Sequence, residues 1–403
     1  MKSITAGRTV VALAGWAGLA LSTGCNALAP SAAKLASPVI DGHNDLPWEI
    51  RDKWNSDVTH GDLRQLTPQF QTDFTRMKQG GVGAQFWSAW VAFDADHSTQ
   101  SIFFEQIELI HKLVAAYPDQ LEMAGTAADL VRIRASGKIA CLIGVEGGHA
   151  IDHSLDVLRK LYRSGVRYMT LTHTETTDWA DASTDVPKWG GLNPFGEEVV
   201  REMNRRGMLV DLSHVSDDTM RDALAITQAP VICSHSSARA LADHPRNVND
   251  ELLAAIGRNG GVVMVNFYPG FVVASAAKTL VEGLAAKQEM KKKGLTGEAL
   301  SKAMDEWRAA HPMERGTLSD VCDHIDHVAK VAGHDHVGLG SDFDGIPTTP
   351  VGVEDVSTFP AIAAELARRG WSEADLAKLQ GENVLRVLRR AEVVARDLTT
   401  PKK

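Results

Sequence analysis

The chain has 403 residues, of which 44% are hydrophobic and 23% charged, an ordinary composition for a folded globular protein. This length suits two or three average domains or one large barrel with insertions. The formal net charge of −9 and the lack of a long basic run argue against nucleic acid as a partner, because phosphate binding needs clustered Lys and Arg.

The first residues have the pattern of a targeting segment. Lys2 and Arg8 are followed by an apolar run, Val10–Leu21, that has the length of a signal-peptide core and is too short for a membrane span. We therefore expect residues 1–25 to be a signal peptide and the mature protein to be exported.

The sequence Leu-Ser-Thr-Gly-Cys at Leu21–Cys25 resembles a bacterial lipoprotein cleavage site. Cleavage there would leave Cys25 lipidated, and residues 26–36, rich in Ala, Ser and Pro, would form a tether. The alternative is an ordinary secretory signal cleaved near Ala27–Ala29. The expected location is thus either the periplasm or the membrane surface, with membrane contact only through a lipid on Cys25.

From residue 37 onward, apolar strand-like runs alternate with amphipathic helical stretches. The runs are Pro38–His43, Val82–Trp87, Ile139–Glu146, Tyr168–His173, Met208–His214, Val231–His235, Gly261–Phe267 and His336–Asp342. The helical stretches include Leu155–Ser164, Phe195–Arg206, Asp217–Thr227 and Asn249–Asn259. Eight such repeats predict one α/β domain over residues 37–395, a closed (β/α)8 barrel of the TIM type. An open doubly wound sheet is the structural alternative.

Two regions interrupt this alternation. Ser88–Lys138 contains a helical stretch, Ser101–Ala116, and Ala274–Pro312 is a helical insertion rich in Lys, Glu and Ala. Neither has the pattern of an independent core, so we expect both to be helical insertions in the single domain. A helix is expected over Glu373–Ala395, followed by a tail at residues 396–403.

Side chains that can bind metals follow the carboxyl ends of the predicted strands. They are His43 and Asp45 after the first strand, Glu146 after the third, His173, His214 and His235 after the fourth to sixth, and Asp342 and Asp344 after the eighth. In a barrel these positions converge at one face. Imidazoles and carboxylates suit Zn²⁺, Mn²⁺ or Co²⁺, and the set exceeds what one tetrahedral zinc needs.

A central glutamate among these residues indicates two metals that it would bridge. Without a metal, so many buried polar groups would be costly. A structural role is expected instead for the other candidates, which lie on loops or helix-like segments or beside the ligands. These are His60, His149, His153, His244, His324, His334, His336 and Asp211.

With these residues identified, the chain resembles the membrane dipeptidase family, also called renal dipeptidases, which are binuclear zinc enzymes with a barrel fold of the metal-dependent hydrolase type. The resemblance covers about residues 38–392. The blocks that carry it are Ile40–Asp45, Val145–Gly148, Leu171–Thr174, Asp211–Ser216, Ser234–Ala238, Met264–Tyr268 and Ser341–Gly345.

The resemblance implies a ligand set for two Zn²⁺ ions, with Mn²⁺ or Co²⁺ as substitutes. His43 and Asp45 would bind one ion, and His214 and His235 the other. Glu146 would bridge both. A hydroxide held between the metals would attack the peptide bond of a free dipeptide, and the family tolerates a D-residue at the C-terminus. A homodimer is also implied.

The same resemblance implies the groups that contact the substrate. His173 would stabilise the oxyanion, Arg246 would pair with the terminal carboxylate, and Asp342 would meet the ammonium end and transfer the proton. Tyr268 and Asn383 are the further candidates for the pocket wall.

Two other functions compete with the dipeptidase assignment. One is metal-dependent hydrolysis of an N-acyl amino acid, a lactam or a lactone, since barrel hydrolases share ligands across many substrates. The other is an exported binding protein without catalytic activity. Arg246 favours a substrate with an anionic end group, because the arginine fork binds a carboxylate through two hydrogen bonds.

Overall fold

The computed structural model describes residues 35–93 and 98–400. The predicted signal peptide, Cys25 and most of the predicted tether lie outside the described residues. Within the described ranges, no helix is both long enough and apolar enough to cross a bilayer.

Nine β-strands of the described chain form one sheet in which all pairings are parallel. They are β1 (Val39–Asn44), β2 (Val82–Trp90), β3 (Leu121–Met123), β4 (Ile139–Glu146), β5 (Val166–Thr170), β6 (Leu209–Asp211), β7 (Ile232–Cys233), β8 (Val262–Val265) and β9 (Val337–Leu339). The spatial order is β2-β1-β9-β8-β7-β6-β5-β4-β3, and β2 also pairs with β4. That last pairing closes eight strands into a barrel, so the predicted fold is confirmed and the open sheet is excluded.

The helices cover the outside of the barrel and its carboxyl face. They are α1 (Leu46–Lys53), α2 (Phe74–Gln79), α3 (Gln100–Ala116), α4 (Ala127–Ala135), α5 (Leu155–Arg163), α6 (Pro194–Arg206), α7 (Asp217–Ile226), α8 (Asp250–Asn259), α9 (Pro269–Val272), α10 (Ala274–Lys292), α11 (Gly297–Ala310), α12 (Leu318–Ala332), α13 (Phe359–Arg368), α14 (Glu373–Ala377) and α15 (Asn383–Thr399). Short 3₁₀ turns occur at Gly148–Ile151, His334–His336 and Val356–Thr358, and a π turn at Lys378–Glu382.

The barrel strands are buried because helices cover their outer faces and side chains fill the interior. Every residue of β1, β4 and β8 is buried. A polar clamp joins β1 to the end of β9: the Ser341 amide and hydroxyl donate to the Asp41 carboxylate at 2.8 and 2.7 Å. Burial nevertheless raises the pKa of Asp41 to about 6, an effect that these hydrogen bonds oppose.

The four outer helices that the sequence predicts, α5 to α8, begin and end within one residue of the expected bounds. Their ends carry ordinary capping residues. The side chains of Asn193, Ser216 and Asn249 accept the backbone N–H three residues later. Gly207 and Gly260 end α6 and α8 in the left-handed region that favours glycine.

The first interrupting region differs from the prediction. Besides the expected helix α3, it contains α4 and the additional strand β3. β3 pairs with residues 139–141 of β4, whereas β5 pairs with residues 143–146 of the same strand. β3 therefore lies outside the closed barrel. Three residues give too short a pattern to stand out in a sequence.

The second interrupting region is the predicted helical insertion, and it forms the antiparallel pair α10 and α11. At the C-terminus the single predicted helix is divided into α14, the π turn and α15. Gly381 has non-helical angles within that turn, which ends the first helix before the second begins.

Candidate active site

Glu146, the last residue of β4, lies at the centre of a cluster of four histidines at the carboxyl end of the barrel. Its Oε1 atom lies 2.9 Å from His214 Nε2, 3.3 Å from His235 Nε2 and 3.7 Å from His173 Nε2. Its Oε2 atom lies 3.6 Å from His43 Nε2. The two carboxylate oxygens therefore face different histidines.

Asp45 and Asp342 extend the cluster on the His43 side. His43 Nε2 lies 3.1 Å from Asp45 Oδ2, and one ligand atom from each of His43, Asp45 and Asp342 lies within 4.8 Å of the others. All three residues are at least nine-tenths buried. The structure thus brings together every metal ligand that the sequence predicts.

In His43 and His235, Nε2 faces the cluster, and the hydrogen bond made by Nδ1 determines which of the two nitrogens carries the proton. Tyr168 Oη donates to the Gly42 carbonyl at 3.3 Å, so it accepts from His43 Nδ1 at 2.7 Å. Ser234 Oγ donates to the Asp211 carboxylate at 2.6 Å, so it accepts from His235 Nδ1 at 2.8 Å. In the neutral form of each ring the proton therefore sits on Nδ1, and Nε2 keeps the lone pair that a metal ligand requires.

His173 has the opposite arrangement. The indole N–H of Trp90 donates to His173 Nδ1 at 3.3 Å, so the ring proton sits on Nε2, which faces the cluster. A ring in this state offers an N–H donor to the cleft rather than a lone pair. His173 is therefore suited to stabilise a negative oxygen, although it lies near enough to Glu146 and His214 to be grouped with them as a ligand.

The electrostatics of the cluster fit a cation site. Burial, together with the positive charge of Arg246, holds the pKa values of His214 and His235 well below the usual range, so both rings are neutral. Burial acts to raise the pKa of Glu146, but the surrounding histidines outweigh it and hold that pKa well below its usual value. Burial also opposes a charge on His43, yet Tyr168, Asp45 and Glu146 raise its pKa well above normal.

The donor set and its spacing also fit a first-row metal. His43 Nε2 is buried and has no hydrogen-bond partner among the described residues, and the Nε2 atoms of His214 and His235 lie 2.9 Å apart. Two ligands of one tetrahedral zinc, with bonds of about 2.05 Å, lie about 3.3 Å apart. The separations of 2.9–3.7 Å around Glu146 are close to that value.

Three of the seven non-glycine residues with positive φ in the described part of the chain lie at this site. His214, Asp342 and Asp344 have φ angles of 69°, 65° and 66°, in the left-handed region that non-glycine residues rarely adopt. Such conformations persist where the surrounding structure enforces them, and they cluster at functional sites. Here they turn the side chains that follow β6 and β9 toward the cleft.

Asp342 is a buried carboxyl group suited to proton transfer. Burial and the nearby carboxylates Asp45 and Glu146 raise its pKa to about 7, against the opposing charge of His43. Asn266 Nδ2 donates to Asp342 Oδ2 at 2.8 Å and fixes the orientation of the group. A pKa near neutrality is favourable for a group that both accepts and returns a proton.

Arg246 lies in the wall of the same cleft with only 3% of its surface exposed. Its guanidinium donates to Ser236 Oγ and to the His235 carbonyl, both at 3.1 Å, and its Nε–H has no partner among the described residues. The guanidinium carbon lies 5.2 Å from the Phe271 ring. Arg239, by contrast, is paired with Asp217 through two bonds of 2.7 Å.

The cleft has a volume of about 830 Å³ and contains most of the predicted site residues. Its walls include Asp45, Glu146, His173, His214, His235, Arg246, Tyr268, Asp342 and Asp344. Tyr268 thus lines the pocket as expected. The cleft is large enough for a small zwitterionic substrate.

Asn383 is a correction to the predicted site. Its side-chain amide donates to the carbonyls of His334 and Val337 at 2.7 and 2.9 Å, at the amino end of β9. The site residues follow the carboxyl ends of the strands, so Asn383 lies at the opposite end of the barrel and cannot contact a substrate in the cleft.

Most of the histidines expected to be structural have hydrogen-bond partners outside the cluster. His149 Nε2 bonds the Val91 carbonyl, His153 bonds Asp178, His324 lies between the Ala238 amide and the Val272 carbonyl, and His336 bonds the Gly261 carbonyl. Asp211 does not reach the cluster and instead supports His235 through Ser234.

Sequence reasoning missed the residues that support the ligands. Tyr168 lies on β5, and its ring occupies the space that a side chain on Gly144 would fill, which lets its hydroxyl reach His43. The signal was a Tyr and a Thr two apart on a buried strand, Tyr168 and Thr170, which point to the same face. Trp90 gave no such signal, because it follows the predicted end of its strand.

The comparisons with known proteins agree with this geometry. The model of the membrane dipeptidase family (peptidase family M19) matches residues 31–402. Dipeptidase 3 of Mus musculus is 40% identical over 363 residues, covering 89% of this chain. The chain spans 65% of that relative's length.

Solved structures with the same fold include two bacterial proteins. The probable dipeptidase PvdM of Pseudomonas aeruginosa has a TM-score of 0.79 at 25% identity, covering 88% of this chain and 96% of that one. A metallo peptidase of Rhodobacter sphaeroides, liganded with a phosphinate mimic of the dipeptide L-Ala-D-Ala, has a TM-score of 0.72 at 25% identity and covers 88% and 99%. The chain therefore belongs to the membrane dipeptidase family, peptidase family M19.

Proposed function

We propose that this protein is a metal-dependent dipeptidase that hydrolyses the peptide bond of free dipeptides with the help of two divalent cations. The observation that carries the proposal is the position of Arg246. Its buried guanidinium, with unused N–H donors, lines the same cleft as the Glu146 cluster. A free dipeptide has a carboxylate at one end and an ammonium at the other, and the cleft offers a guanidinium and several carboxylates to match them.

The ligand assignment is the one that the family resemblance implies, and the short distances around Glu146 support it. His43 and Asp45 would hold one cation, His214 and His235 the other, and Glu146 both. When bound, Zn²⁺ or a similar ion such as Mn²⁺ or Co²⁺ would activate a water and polarise the carbonyl to be attacked.

The protein's own groups would complete the chemistry. Arg246 would bind the terminal carboxylate and orient the peptide bond over the cluster. Asp342 would accept the proton of the attacking water and return it to the nitrogen of the leaving amine. His173 would donate its Nε2–H to the carbonyl oxygen as that oxygen becomes negative.

Tolerance of a D-residue at the C-terminus is part of the proposal. It is supported by the related Rhodobacter sphaeroides structure, whose ligand mimics L-Ala-D-Ala.

A panel of substrates tests the proposal. Zinc-reconstituted protein is offered L-L dipeptides, L-D dipeptides, an N-acetylated dipeptide and an N-acyl amino acid, each with and without a chelator. We expect chelator-sensitive cleavage of the free dipeptides alone. Cleavage of the N-blocked compounds instead would remove the ammonium-binding role from Asp342 and point to an acylase.

A further inference from the structure

A second cleft, which we call the hairpin cleft, lies between the helical insertion α10–α11 and the active site. It has a volume of about 570 Å³, within the range of pockets that bind small ligands. Its insertion-side wall includes an apolar patch formed by Leu280 and Leu284 of α10 and Met304 and Trp307 of α11. Polar and charged side chains, among them Lys287, Lys291 and Arg308, complete that wall.

The wall of the hairpin cleft is held in place by close packing. A Cβ atom at Gly283 would lie 2.9 Å from the Trp307 ring, so the glycine allows α11 to approach α10. A side chain at Gly270, in the short helix α9, would overlap Leu280, which shows how closely α10 packs on α9. The cleft is therefore a built feature of the fold rather than a gap between loosely packed helices.

The hairpin cleft is continuous with the active site through a shared wall. His214, Arg246, Tyr268 and Phe271 line both clefts. Arg246 thus stands at the junction, with the metal cluster on one side and the apolar wall of α10 and α11 on the other.

We propose that the hairpin cleft binds a large apolar side chain, aromatic or long aliphatic, on the C-terminal residue of the dipeptide. This inference rests on the proposed dipeptidase function, in which Arg246 binds the terminal carboxylate. The carboxylate and the side chain of that residue share one Cα atom, so this side chain is the part of the substrate closest to the junction. Apolar walls favour an apolar occupant because its transfer from water is favourable.

The test compares substrates that differ only in the C-terminal residue: L-Ala-Gly, L-Ala-L-Ala, L-Ala-L-Phe and L-Ala-L-Trp. Leu284→Ala should lower kcat/KM about tenfold for the Phe and Trp substrates, because a lost apolar contact in a pocket typically has an effect of this size. The kcat/KM for the Gly substrate should not change. Val281→Ala is the matched control, because Val281 lies on the same helix, is 40% exposed and does not line the cleft.

A filling variant gives an independent measurement. Leu284→Trp should reject the Phe and Trp substrates while L-Ala-Gly is cleaved as before. The inference is overturned if Leu284→Ala lowers kcat/KM equally for all four substrates. It is also overturned if tripeptides are cleaved with the same dependence on Leu284, since the cleft would then hold a longer chain. If the wild-type protein cleaves no dipeptide at all, the proposed function itself fails; if it cleaves only small ones, this inference alone fails.

Discussion

Replacement of Arg246 by lysine separates carboxylate recognition from every other property of the cleft. Arginine has five N–H donors, of which two bond Ser236 and the His235 carbonyl, leaving three for a substrate. Lysine has three donors, so a lysine that kept both anchors would offer one. The variant retains the charge and the apolar stem but loses the second bond to a bound carboxylate.

A hydrogen bond between charged groups contributes about 1.5–3 kcal/mol. We therefore expect Arg246→Lys to lower kcat/KM for L-Ala-L-Ala by roughly 10- to 150-fold. The C-terminal amide of the same dipeptide has no carboxylate for a bidentate ion pair, and its carbonyl can accept one hydrogen bond from either side chain, so its kcat/KM should change by less than about threefold. The assay is release of the free amino acid or its amide, followed for both compounds under the same conditions.

Arg239→Lys is the matched control, because Arg239 is already paired with Asp217 and does not line the cleft. It should leave both rates unchanged. If Arg246→Lys lowered kcat/KM equally for the dipeptide and its amide while thermal stability was preserved, carboxylate binding by Arg246 would be refuted.

Three other perturbations test separate parts of the account. Tyr168→Phe removes the hydrogen-bond partner of His43 Nδ1 and should weaken zinc binding about 10- to 100-fold, measured by competition with a chelating dye. Trp90→Phe removes the donor to His173 Nδ1 and should lower kcat about fivefold, the effect of one lost neutral hydrogen bond, with zinc content unchanged. Burial lowers the pKa of His324 to about 4, so this residue alone should lower the free energy of unfolding by up to about 3 kcal/mol as the pH drops from 6.5 to 4, and His324→Gln should remove that share of the pH dependence in urea titrations.

The sign of the pH effect follows from which state binds the proton. Unfolded His324 is protonated below pH 6.5 while the buried ring stays neutral down to about pH 4, so acid favours the unfolded chain. His60→Gln, at an exposed position, should keep the wild-type pH dependence. Tyr117→Phe, at a buried tyrosine that follows α3 and does not line the cleft, should keep the wild-type zinc affinity. Unaltered zinc binding in Tyr168→Phe, or a loss of zinc in Trp90→Phe, would contradict the assigned tautomers.

The barrel could be predicted because its strands are buried on both faces and appear as short apolar runs that alternate with helical stretches. The cluster of candidate metal ligands could be predicted for the same reason, since each follows directly at the end of such a run, as Glu146 and His235 do. The prediction for Asn383 was wrong because the position of this residue depends on where the chain turns at the amino end of the barrel. The break at Gly381 directs that turn to the amino end of β9.

The supporting groups depend on contacts between distant strands, which no local pattern records. Tyr168 contacts His43 across 125 positions of sequence, and Trp90 contacts His173 across 83. The hairpin cleft likewise depends on the angle at which α10 and α11 pack over Arg246, whereas the sequence predicts only that the insertion is helical.

The most direct test of the central claim is a zinc titration of metal-free protein, with dipeptide hydrolysis measured in the same samples. We expect two equivalents of zinc bound per chain and activity that appears as the sites fill. We also expect a matching loss of zinc and activity in His235→Ala. Hydrolysis of L-Ala-L-Ala at full rate without bound metal, or a chain that binds no zinc, would contradict the assignment of the Glu146 cluster as a metal centre.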